Sequence, residues 1–117
     1  MKKPGILTAI PKRRYQLGEY TVVVLGEIES NDGIDYCHIM AVIRGSDPEP
    51  GIYITAERVN SADRVNSGYT MRIIMHDGAE VIGASDTWND RDVFVDEALG
   101  VVSRVLNVSD EVPYRLM

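Results

Sequence analysis

Three glycine-centred turns divide this chain: Asn31-Asp32-Gly33, Asp47-Pro48-Glu49-Pro50-Gly51 and Asp77-Gly78. Glycine, and less freely Asn and Asp, adopts the left-handed backbone that a tight reversal needs. The runs between these turns are rich in Val and Ile, which favour extended strands. Each run must therefore fold back beside its predecessor, and an antiparallel β-meander follows. One long segment near the C-terminus has helical spacing instead. The expected class is α+β: a meander of five to six strands with one C-terminal amphipathic helix packed on one face.

Along the chain, Ile6 to Ile10 reads as a short strand that Pro11 ends, since proline cannot donate to a ladder. Lys12 to Tyr15 continues it as an edge strand. Tyr20 to Ile28, with Val22-Val23-Val24-Leu25 at its centre, reads as a central strand covered on both sides. In Ile34 to Arg44, strict alternation puts Tyr36, His38, Met40 and Val42 on one face and Cys37, Ile39, Ala41 and Ile43 on the other, drier one. Ile52, Ile54 and Ala56 alternate with Tyr53, Thr55 and Glu57 as inside against outside. Glu57-Arg58-Val59-Asn60-Ser61-Ala62 is nearly repeated as Asp63-Arg64-Val65-Asn66-Ser67-Gly68, which reads as a duplication within a polar loop. Tyr69 to His76 and Ala79 to Ala84 form a hairpin around Asp77-Gly78.

The helix is expected to begin with Asn89 as N-cap, which sets Trp88 and Val93 at hydrophobic-staple spacing. Asp90 and Asp92 then lie in the first turn, where the helix dipole favours negative charge. Phe94, Ala98, Val101, Val102 and Val105 form the apolar stripe. Arg91, Asp96, Glu97, Ser103 and Arg104 take the wet side. Gly100 is expected to permit close approach to the sheet. Residues 108–117 form a polar tail.

A helix of about 18 residues is about 27 Å long and covers one sheet face, not two. The uncovered face is left with several of Tyr20, Val22, Val24, Tyr36, Met40, Tyr53, Tyr69, Met71 and Met75. Exposed apolar patches of that size mark interaction surfaces. Two solutions exist: strong curvature into a half-barrel, or pairing with a second copy. A homodimer is the expectation, with Met40 in its interface.

With 117 residues the chain makes one domain, and a charged fraction of 26% beside 44% apolar residues describes an ordinary globular composition. Charge is unevenly placed. Residues 1–20 carry five basic side chains against Glu19, and residues 21–117 carry seven arginines against seventeen acids. The acidic body repels phosphate backbones, so nucleic acid is not expected to bind through the main fold. Residues 1–14 form a basic arm. The single Cys37 excludes an internal disulfide framework and fits a cytoplasmic protein. The short apolar stretch Gly5–Ile10, interrupted by Pro11 and three basic residues, does not suit an export signal. No run reaches the length of a membrane span.

Chemistry-bearing patterns are sparse. His38 and His76 lack metal-ligand spacing and a third ligand, so no metal or other cofactor is expected. Asp86, Asp90 and Asp92 lack the calcium-loop pattern and read as capping residues. Cys37 and His38 are adjacent, and alternation separates their side chains. No catalytic residue is assigned. Tyrosine, with six residues against a single Phe, suits half-wet interfaces or ligand grooves. The surface expected to carry function is therefore Tyr36, His38, Met40, Tyr53, Tyr69, Arg72 and His76. The leading expectation is a non-catalytic, self-associating protein-interaction module. The alternatives are a small ligand-binding protein or enzyme with a sheet–helix cavity, or an acidic inhibitor or immunity-type protein that binds a basic partner.

Overall fold

A computed structural model describes residues 3–58, 68–108 and 111–116. The expected α+β meander is present. Its elements are β1 (Ile6–Leu17), β2 (Tyr20–Ser30), β3 (Tyr36–Arg44), β4 (Ile52–Arg58), β5 (Tyr69–Met75), β6 (Gly78–Ser85), α1 (Arg91–Val105) and β7 (Tyr114–Arg115). Among the described residues the sheet has seven strands in the order β6-β5-β4-β3-β2-β1-β7, every neighbouring pair antiparallel. The near-repeat between β4 and β5 lies mostly outside the described residues.

Pro11 does not end the first strand. β1 runs through it to Leu17, with Pro11 opposite Leu25 and register shifts close on either side. An edge strand tolerates proline because one side of its backbone need not donate. The C-terminal tail supplies the extra strand. Tyr114 and Arg115 pair with Gln16 and Tyr15, while Val112, Tyr114 and Leu116 remain exposed.

The helix starts one residue later than its cap pattern implies. Asp90, not Asn89, is the N-cap, and its carboxylate accepts from the Asp92 and Val93 amides at 2.9 and 3.4 Å. That shift removes the Trp88–Val93 staple: Val93 is exposed, and Trp88 is buried over Gly83. A Cβ at Gly83 would lie 3.1 Å from the indole Cη2, so the glycine makes room for the ring. At 15 residues α1 is about 22 Å long. Phe94, Val95, Ala98 and Val102 form its buried face, and Val105 is exposed. Gly100 does not face the sheet. A Cβ there would meet only the Arg104 side chain.

Both faces of the sheet are buried. The helix side packs Tyr15, Leu17, Val22, Val24, Met40, Val42, Ile52, Ile54, Ala56, Tyr69, Met71 and Ile73 against Trp88 and α1. On the far side Tyr36, Ile39, Ala41, Tyr53 and Ile74 form a second core, closed by Ile6, Leu25, Ile28 and Ile34. These residues cover the face that the helix does not reach. Asp32 ties the closing segments down: it accepts from the Gly5 amide at 2.8 Å, the Ile34 amide at 3.1 Å and the Tyr36 hydroxyl at 2.6 Å. Burial alone would raise its carboxyl pKa. These three donors outweigh that and hold it below the ordinary aspartate value. β4 is accordingly buried on both sides, not alternately wet and dry.

Candidate functional site

The seven residues expected to share one surface are split by the sheet. Met40, Tyr69 and His38 lie on the helix side; Tyr36 and Tyr53 lie in the far core. Met40 is fully buried beneath the helix and Met71 nearly so, so neither side chain is available to a second copy. His76 falls beyond the end of β5 and is exposed at the hairpin.

Tyr36 and Arg72 do meet. They line a cavity of about 120 Å³ on the far face, with Lys3 and Asp32 at its polar wall and Ile34 and Ile74 as apolar lining. Arg72 spends its Nε on Glu57 at 2.6 Å, and the same carboxylate oxygen accepts from the Thr55 hydroxyl at 2.6 Å. Tyr36 is held protonated, first by burial and then by its bond to Asp32. The charges of this cluster are thereby matched: Asp32 by three donors, Glu57 by Arg72, and Lys3 by Glu49 at 2.5 Å.

The unmatched groups lie on the other side of the sheet. Between β3 and β4 the register moves from Tyr36↔Glu57 to His38↔Ala56, which leaves Cys37 as an extra residue. This is a β-bulge, a device that re-aims side chains. Tyr36 consequently turns to the far core, while Cys37 packs against the helix-side core and His38 stacks on Phe94. Strict alternation fails at this point, and with it the argument that Cys37 and His38 face apart.

His38 is 5% exposed, and its ring lies 5.1 Å from that of Phe94 at 26°. Neither ring nitrogen has a hydrogen-bond partner, and the Arg91 Nε is likewise buried and unpartnered. Backbone groups of Asn89 and Trp88 lie near enough to favour the protonated ring, but without hydrogen-bond geometry to either nitrogen. Burial, followed by the positive charges of Arg91 and Arg58, pushes its pKa below the ordinary histidine value. Cys37 is half-buried. Burial raises its thiol pKa, against the pull of Arg58 and Arg91. It is a neutral thiol, not a poised nucleophile.

The acidic trio near the helix has three separate roles. Asp86 accepts from the Gly68 amide at 2.5 Å, Asp90 caps the helix and Asp92 pairs with Arg13. Among the described residues no group of three or more His, Cys, Asp or Glu side chains could hold a metal ion.

The displaced pKa of His38 has a measurable consequence. The unfolded chain binds a proton near pH 6.5 and the folded chain only at lower pH. Stability is therefore complete above pH 6.5 and falls as the pH drops through that value toward the folded pKa, by up to about 1.4 kcal/mol per pH unit. Asp32, lowered from its own reference, loses its contribution only below about pH 4. Urea unfolding at pH 7.5, 6.5 and 5.5 should show this loss in the native chain and a flatter profile in His38→Phe. Equal slopes would mean that His38 is not held neutral by the fold.

Arg58 and Arg91 were invisible as site residues in the linear chain: one ends a strand next to a polar loop, and the other looks like the wet side of a helix. Their charges nonetheless act on Cys37 and His38, an effect that the residue pattern does not show. No family model, no curated protein and no solved structure matches the chain.

Proposed function

We propose that the protein is a non-catalytic interaction module that self-associates by strand addition at β6. The observation that carries this reading is the contrast between the two long sheet edges. β1 bears Pro11 and the basic run Lys12-Arg13-Arg14, is broken by three register shifts, and is overlaid at Tyr15 and Gln16 by β7. Proline, positive charge and irregular pairing are the devices by which edges resist docking. β6 has eight residues with one charge, Glu80, no proline and a single shift at Ile82. Val81 is 60% exposed and Ile82 is exposed beside it. Among the described residues one edge is guarded and the other has no strand beside it.

A second copy fits this edge because two-fold pairing is antiparallel, the sense used throughout the sheet. The lone carboxylate meets its own counterpart only in the register centred on Glu80, so other registers carry no like-charge clash. The tyrosines and methionines enter as support for the sheet and not as the contact itself.

Light scattering on a size-exclusion column across a concentration range tests the reading. The native chain should be a dimer, and Val81→Lys a monomer with unchanged circular dichroism. Val81 is exposed, so its replacement should shift monomer stability by no more than about 0.5 kcal/mol. A native chain that stays monomeric throughout, or a Val81→Lys chain that stays dimeric, overturns the proposal.

A further inference from the structure

The cavity of about 120 Å³ on the far face lies against the N-terminal arm, with Pro4, Ile34 and Ile74 as its apolar wall. Arg72, Tyr36 and Asp32 make the polar one. The charges around it are spent on one another: Lys3 on Glu49, Arg72 on Glu57, and Asp32 on three donors. An ion that entered would shed water and find no spare counter-charge. The occupant that fits is neutral. Hydrogen-bonding capacity does remain. Arg72 bonds Glu57 through Nε alone, and its two terminal nitrogens bond no acceptor among the described residues. They are not sealed off, since the side chain is 25% exposed. The Tyr36 hydroxyl donates to Asp32 at 2.6 Å, which leaves its oxygen as an acceptor.

We propose that this cavity binds a neutral primary carboxamide on a short apolar tail, either a free small amide or the side chain of a glutamine. The amide oxygen accepts from the Arg72 terminal nitrogens, and the amide N–H groups donate to the Tyr36 oxygen. A carboxamide carries both an acceptor and donors at one end, which matches a wall that holds donors and an acceptor side by side. The tail lies against Pro4, Ile34 and Ile74. Volume limits its length. A cavity of about 150 Å³ holds benzene, so this one takes a ligand of at most about six non-hydrogen atoms. The site lies on a face of the sheet and not along the β6 edge, so either proposal can fail alone.

The test is amide NMR titration of the full nitrogen-labelled chain with isobutyramide, isobutyrate, isobutylamine and N-acetyl-glutaminamide. The three isobutyl compounds share a branched tail and differ in charge. Isobutyramide should shift the Gly5 and Ile34 amides, the two that bond Asp32 beside the cavity, and the shifts should saturate in the millimolar range. Arg72→Gln should weaken this binding at least about ten-fold, the loss of a hydrogen bond from a charged donor. Ala79→Leu, at an exposed position on the rim, should abolish it by filling the cavity. Arg44→Gln, whose side chain pairs with Glu19 instead, should leave it unchanged. If Arg72→Gln does not fold, Ala79→Leu and the native titrations decide. Titrating the Val81→Lys chain removes any contribution of self-association. A stronger response to isobutyramide identifies a free amide as ligand, and a stronger response to N-acetyl-glutaminamide identifies a glutamine side chain. An equal or larger response to isobutyrate or isobutylamine overturns the proposal. So does a titration that never saturates, or binding that is undiminished in Arg72→Gln or Ala79→Leu.

Discussion

Phe94→Ala should destabilise the protein by about 3–5 kcal/mol, a large part of the 5–15 kcal/mol typical of a domain. Phe94 is fully buried, one turn into α1, and its ring both fills the helix-side core and stacks on His38. Removing it takes away the transfer energy of the ring and leaves a void between helix and β3 that close-packed neighbours only partly fill. Urea unfolding measures the loss, and the melting point should fall by about 10–20 °C. A second signature accompanies it. Water entering the void would rehydrate His38 and return its pKa toward 6.5, which flattens the acid sensitivity described above. Phe94→Leu should cost about half as much, since it restores most of the volume without the ring. A loss under about 1 kcal/mol for the alanine variant would mean that the helix is anchored elsewhere.

Ile39→Ala should cost about 2–5 kcal/mol, and this variant reports on the opposite side of the sheet. Ile39 is fully inaccessible within the single chain, packed among Tyr36, Ala41, Tyr53 and Ile74. If this far face were built to await another copy, a monomer would leave Ile39 wet and its truncation would matter little. The measurement is best made in the Val81→Lys chain, so that self-association through β6 does not enter. Ile39→Val should cost about 0.5–1.5 kcal/mol, a graded response expected of a packed core. A monomer that tolerates Ile39→Ala without loss would return the far face to the list of interaction surfaces.

The architecture was legible because it rests on local chemistry. Asn31-Asp32-Gly33 and Asp77-Gly78 reverse the chain wherever they occur, and the Val- and Ile-rich runs have few alternatives to extended pairing. The helix was readable from Phe94, Ala98 and Val102 at 3.6-residue spacing. Its start was misplaced by one residue because Asn89 and Asp90 are both good N-caps. What separates them is the burial of Trp88 over Gly83, a contact with a strand edge rather than with the helix.

The site was not legible, for a different reason. Face assignment in a strand assumes a period of two, and a single bulge at Cys37 exchanges the faces on one side of it. Tyr36 therefore left the group in which alternation placed it, and Cys37 joined His38. Whether the far face would be closed within the chain also lay beyond the linear sequence. Closure depends on Ile6, Leu25, Ile28 and Ile34 meeting residues distant in the chain, held by one carboxylate, Asp32, that gathers three donors.

Turn chemistry and hydrophobic period thus settled the sequential meander and the helix, since both act between residues a few positions apart, but not the strand that the tail adds beside β1. Tertiary packing decided which side chains share a face, which charges are matched and which polar atoms are left over, because those depend on register between strands. Register is a property of the assembled sheet.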